Sequence, residues 1–170
     1  GAGPVRAAEA FDVARSNVKV DKVVSTGSCG GLDPTLEPGD VFVAVRVDHV
    51  DRGVSYAAQL PGSTRKTAQG VLASVDRIIR TVAEKKALRL RGASAVEMES
   101  AGLAQKAAEA SLPFYCVRAV LDTASDELDT DFNRARDKAG RLQTGRIVLA
   151  ALSHPIRRVP ELYRLHRRSR

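Results

Sequence analysis

Apolar and polar positions along this chain alternate between a helical and a strand rhythm. Residues 5–16, VRAAEAFDVARS, space their apolar side chains as a helix does, among good helix formers. Residues 20–26 are β-branched and apolar and predict a strand. LDPTLEPGD, with two prolines, a glycine and two aspartates, is turn chemistry, and VFVAVRVDHV after it alternates as a second strand. Residues 51–70 show no clear period and read as a loop. VLASVDRII, 71–79, predicts a third strand, and Thr81 with Glu84 three residues on forms a capping-box pattern that opens a helix over VAEKKALRLR. SAVEMESAGLAQKAAEAS, 94–111, consists almost wholly of helix formers and reads as one helix. PFYCVRAVLD is an apolar strand, and FNRARDKAGRLQTGRIVLAALSH is a long helical region. Strands that alternate with helices place the chain in the α/β class, with a largely parallel or mixed sheet.

Composition narrows the class. The 170 residues suffice for one domain with a core, and a hydrophobic content of 44% excludes a disordered chain. No run of eighteen apolar residues occurs, and the first residues lack a secretion-signal pattern. They also lack a starting methionine, so the chain is expected to begin partway through a longer protein. Cys29 and Cys116 stand far apart, in a spacing that suits neither a zinc site nor a disulfide framework. Both are expected as free thiols in a reducing cytoplasm. The net charge of +7 is uneven: residues 155–170 hold six Arg and one Glu, +5, which leaves +2 for the other 154 residues. A nearly balanced body argues against a nucleic-acid-binding domain.

Three stretches carry chemistry. Val23 to Pro34, VVSTGSCGGLDP, ends a strand in small residues, and in α/β sheets ligands bind at the carboxyl ends of strands. Ser28, Gly30 and Gly31 there let backbone N–H groups face an anion or a polar water; a tight turn with no ligand uses the same residues. In AVEMESAGLAQKAA, Glu97 and Glu99 read as first-turn residues of the helix. As a surface pair they would complement the helix dipole. Glu99, four before Leu103 on the apolar side, needs a partner there, and a sugar diol gives a carboxylate two hydroxyl donors. In FYCVRAVLDTAS, Asp122 ends a buried strand. At an apolar mouth a carboxyl group has a raised pKa and serves as general acid; the alternative is an Asx turn or helix cap.

In order and spacing, GAGPVRAAEA, VVSTGSCGGLDPTLEPGDVFV, VLASVDRII, AVEMESAGLAQKAA and VRAVLD resemble the nucleoside phosphorylase and nucleosidase superfamily, and among its branches the 5′-methylthioadenosine/S-adenosylhomocysteine nucleosidases. The resemblance runs from Gly1 to about Ser125. It implies a three-layer phosphorylase/hydrolase-like fold, with a mixed central sheet flanked by helices, over residues 1–154. It also implies roles. Glu99 would hold the ribose hydroxyls with Met98 beside it. Asp122 would hydrogen-bond the purine and assist protonation of N7. Ile78 and Ile79 would pack on the purine. Gly27, Ser28, Cys29 and Gly30 would line the place of the nucleophile, water or phosphate. Such chemistry suits the residue types, because the departing base gains negative charge while the sugar gains positive charge.

Three departures from the family pattern stand out. Ser25 occupies the position of a phosphate-binding arginine in hexameric purine phosphorylases, which favours hydrolysis. Leu121 stands where nucleosidases usually carry the serine that orients the acid. The family's first strands, with the glutamate that activates water, would precede Gly1.

The basic segment 155–170 resembles the ending of hopanoid-associated phosphorylase-like proteins, a group tied to release of adenine from adenosylhopane. Ile156, Val159, Leu162, Tyr163 and His166 can form one stripe flanked by arginines, as in a helix that rests on an anionic membrane; packing on the body or a second subunit is the plainer use. His154 and His166 read as surface residues, and His49 lies near a strand end. The expected protein is a purine nucleoside N-glycosidase, without metal or cofactor beyond phosphate as an optional co-substrate. It would be cytoplasmic or peripheral at the inner membrane face, and a homo-oligomer, at least a dimer. The rivals are an ordinary methylthioadenosine/adenosylhomocysteine nucleosidase and a protein that binds an adenine nucleoside without turnover.

Overall fold

In the computed structural model, residues 3–62 and 67–127 are described. Among these residues three helices and six strands follow in the order α1 (Pro4–Asn17), β1 (Val23–Gly31), β2 (Val41–His49), β3 (Val54–Ala57), β4 (Ala68–Ser74), α2 (Val82–Leu90), β5 (Ala95–Glu97), α3 (Ser100–Glu109) and β6 (Phe114–Asp122). The sheet order is β3-β2-β4-β5-β1-β6, and β2 also pairs with β6, so that the sheet curls round and closes on itself. It is mixed: β1–β6, β2–β4 and β4–β5 run parallel, while β1–β5, β2–β3 and β2–β6 run antiparallel.

Four expectations change. The first strand does not stop at Thr26: β1 continues to Gly31, so Gly27, Ser28, Cys29 and Gly30 are strand residues paired with β6, and Gly30 pairs with β5 as well. Pairing with β6 along the whole stretch, joined by β5 at Gly30 and Gly31, holds these small residues extended against their low strand propensity. Residues 51–70 are not all loop, because Val54–Ala57 and Ala68–Gly70 pair with the two sides of β2. The third strand ends at Ser74 and not at Ile79. Finally, the helix expected over 94–111 is a short strand followed by a shorter helix, so Glu97 ends β5 and is no first-turn residue. Ala95 and Val96 pair with both β4 and β1, and that tertiary pairing overrides helix propensity. The segments from residue 128 onward, the basic tail with His154 and His166 included, lie outside the described residues.

The core has two parts. Phe42, Ala44, Val47, Leu72, Ala95, Cys116 and Val120 cluster with Phe11 of α1 and Ala101, Ala104 and Ala107 of α3. A second cluster packs Leu88 of α2 on Leu32, Ala73, Val75, Ile79, Ala93 and Val96. The small face of α3 permits close approach. A methyl group at Gly102 would stand 1.9 Å from the Pro4 carbonyl oxygen, so only glycine lets α1 begin there.

The start of α2 bears out the capping box. The Glu84 amide donates to the Thr81 hydroxyl at 3.2 Å, and the Thr81 amide donates back to the Glu84 carboxylate at 3.0 Å. Burial pushes the Glu84 carboxyl up, but the amides of Arg80 and Thr81 and the Arg77 guanidinium outweigh it and bring it down to about 2. Thr81→Ala is expected to cost about 1 kcal/mol, read as a lower urea midpoint at unchanged slope.

Candidate functional site

Arg118, in the middle of the apolar strand β6, is 2% exposed, and a guanidinium that deep requires partners. Its Nη2 donates to Glu97 Oε2 at 2.9 Å, Ser25 Oγ at 2.7 Å and Ser100 Oγ at 2.5 Å. Glu97 in turn accepts the backbone N–H groups of Glu99 and Ser100 at 2.9–3.1 Å. One carboxylate therefore caps α3 and neutralises a buried cation. Arg118 Nε is buried and has no hydrogen-bond partner.

Around this network opens a cleft lined by Val24, Ser25, Gly27, Ser28, Glu99 and Arg118, among others. The expected nucleophile segment and the expected sugar carboxylate thus meet in one place. Glu99, half-buried, stands at the head of α3 with Leu103 on the same cleft wall. Burial first, then repulsion from Glu97, raises its carboxyl above the ordinary 4.5, while Arg118 and the Gly3 amide draw it back. Cys29 does not face this cleft with Ser28. Its thiol lies in the core, where burial pushes it up to about 12, and burial raises Cys116 as well, so neither is a ready thiolate.

Asp122 lies further along β6. Between Cys29 paired with Val120 and Gly30 paired with Asp122, the register advances two residues on β6 for one on β1. This bulge at Leu121 sets the Asp122 carboxylate over Gly30. A methyl group at Gly30 would stand 3.1 and 3.2 Å from the two carboxylate oxygens, so glycine is what leaves them room. The setting is not the apolar mouth expected from sequence. Lys85, 1% exposed on the inner face of α2, donates from Nζ to Asp122 Oδ2, and also to the Thr123 carbonyl at 2.5 Å.

Ile79 is buried with Leu88 and Val96, and Met98 packs on the same cluster. Val96 borders Gly30, and Leu88 sits one turn beyond Lys85, so this apolar cluster adjoins the Asp122 end. Ile78 is half-buried beside it in sequence. His49 is 3% exposed and lines a different cavity with Asp48, Ser55 and Arg91, its Nε2 3.7 Å from Asp76. Among the described residues no group of three His, Cys, Asp or Glu could hold a metal ion, and no helix is long and apolar enough to cross a membrane.

Sequence reasoning passed over Lys85, Arg118 and the pairing role of Glu97. Two signals were there. Arg118 interrupts an apolar strand, and Lys85 sits three residues before Leu88 on the apolar side of its helix.

Comparison with known proteins points one way. The family model of the Phosphorylase superfamily matches residues 1–63 and 51–153. A 5′-methylthioadenosine/S-adenosylhomocysteine nucleosidase of Bacillus cereus (strain G9842) is 30% identical over 87% of this chain and 76% of its own length. The nucleosidase of Neisseria meningitidis, solved with methylthio-immucillin-A, superposes with a TM-score of 0.64 at 30% identity, covering 79% of this chain and 70% of that one. The S-adenosylhomocysteine nucleosidase of Streptococcus pyogenes, solved with 5-methylthiotubericidin, gives 0.68 at 26% identity over 89% and 75%.

Proposed function

Since this chain belongs to the phosphorylase superfamily, we propose that it cleaves the N-glycosidic bond of a 5′-substituted adenosine and releases adenine. The observation that carries this reading is the pair of acidic stations along β1 and β6. Glu99 lies beside Arg118 and Ser28 at one, and Asp122 at the other, four residues on and roughly 13 Å along the strand. A nucleoside laid between them sets its sugar at Glu99, with Met98 next to it in sequence, and its purine at Asp122, with Ile79 and its apolar cluster near the base.

In this reading Glu99 accepts the two ribose hydroxyls, and its negative charge favours the cationic sugar of the transition state. Asp122 delivers a proton to purine N7 as the bonding pair withdraws to N9, and adenine departs neutral. Arg118 and Ser28, which line the cleft beside Glu99, stand where the attacking oxygen approaches. Ser25 is occupied by Arg118 and supplies no separate cation for phosphate, which favours water.

Likeness to methylthioadenosine/S-adenosylhomocysteine nucleosidases favours a methylthio or homocysteinyl 5′ group. The basic segment 155–170 favours the finer reading, adenosylhopane as substrate and contact with an anionic membrane face. The test is adenine release by the full-length protein from methylthioadenosine, S-adenosylhomocysteine and adenosylhopane, each with and without phosphate. Release from the thio-nucleosides alone supports the nucleosidase, and preference for adenosylhopane supports the lipid reading. Adenine binding without release from any of them would sink catalysis and leave a binding protein.

Glu99→Gln is expected to lower kcat/KM about 100-fold, since the amide loses charge-assisted bonds to both hydroxyls. The sign of the pH effect follows from the raised carboxyl. Wild-type activity falls on the acid side as pH drops through that raised value, above 4.5, and the variant loses this limb. A pH profile of kcat/KM checks both.

A further inference from the structure

Lys85 is a buried cation for which the chemistry described so far has no use. It lies inside α2, where Leu88 meets the second apolar cluster and Glu84 and Arg89 pair with Arg77 and Asp33. Its ammonium ends on Asp122 Oδ2 and the Thr123 carbonyl, and its surface exposure is 1%. Burying a lysine at this depth is costly unless it is paired, and Asp122 is its one charged partner among the ion pairs of the described residues. The capping box between Thr81 and Glu84, the residue before Lys85, fixes the first turn of the helix, so the ammonium is aimed by a rigid element.

We propose that Lys85 is a positioning residue for Asp122: it pins the carboxylate over Gly30 and holds the proton that Asp122 passes to the leaving purine. The inference rests on the glycosidase reading above. Before the reaction the pair is ammonium and carboxylate. As the C–N bond breaks and its electrons go to N9, one proton moves from Lys85 Nζ to the Asp122 carboxylate, and Asp122 gives one to N7. Adenine leaves neutral, and Lys85 is left as the amine. Water adds its oxygen to the sugar carbon, and the proton it sheds restores the ammonium. Charge and protons balance over the cycle without a further reactant.

The arrangement makes a prediction that a structural lysine would not. A proton stored on an ammonium persists to alkaline pH, whereas one stored on a lone carboxyl is lost near the ordinary carboxylate range. Wild-type kcat is expected to hold above pH 8. In Lys85→Met the alkaline limb should move down by at least one pH unit, and kcat at pH 8 should fall roughly 100-fold. Lys85→Arg should restore binding and fold but not kcat, because a guanidinium pins the carboxylate yet does not release its proton. Adenine binding and the urea midpoint report folding in each variant.

Three results would overturn the proposal: a wild-type limb already in the carboxylate range, an unchanged limb in Lys85→Met, or full rescue of kcat by Arg. Should neither variant fold, the wild-type limb alone decides. Absence of any wild-type release is a different outcome, since it removes the glycosidase reading itself.

Discussion

Asp122→Asn is expected to lower kcat for adenine release about 1,000-fold while adenine binding changes little. Asparagine keeps the size of the side chain and an oxygen that can still accept from Lys85, so the bulge at Leu121 and the contact over Gly30 survive. What it loses is the capacity to carry a proton to N7. Without that proton the base departs as an anion, and the transition state loses its main stabilisation on the purine side. The variant separates two readings that a silent protein would leave mixed. A fall in kcat at constant KM marks an interaction made only in the transition state. A rise in KM alone would make Asp122 a binding residue and remove it as the acid.

The second large effect is on stability. Arg118→Met is expected to cost about 3 kcal/mol, since it leaves Glu97 as a buried carboxylate without its cation. Glu97 keeps the amides of Glu99 and Ser100, which hold the loss below that of a wholly orphaned charge. Glu97→Gln in the same background should recover part of it, because the neutral amide no longer asks for a partner. A double-mutant cycle in urea gives the coupling between the two residues, expected to be well above the 0.5 kcal/mol typical of independent sites. Strict additivity would show that the two side chains do not support one another.

The α/β class, the first helix, the second and last strands and the capped helix α2 were legible because each follows a local rule: period, propensity or cap chemistry. What could not be read was non-local. Nothing in SCGG says that it is extended, because its conformation comes from β5 and β6 on either side. Nothing local in ASAVEMES favours a strand over its first residues, since two neighbouring strands impose it. The candidate site divides along the same line. Glu99, Ser28 and Asp122 announced themselves by residue type at element ends. Their supports, Arg118 and Lys85, are ordinary basic residues until the fold buries them.

The closure of the sheet through β2 and β6 gives this site its mechanical character. β1 pairs with β6 along most of its length and with β5 at Gly30 and Gly31, and β6 pairs also with β2 at Val117, Arg118 and Ala119, so each strand that carries candidate residues is tied on two sides. Neither can slip or peel without breaking the ring, which ties their amides to global rather than local opening. In the proposed reading, the floor under a nucleoside is therefore a rigid part of the described sheet. Whatever admits a substrate or distinguishes one 5′ group from another must move or vary at the rim, in the helices and connections, while Asp122 and Arg118 keep their spacing.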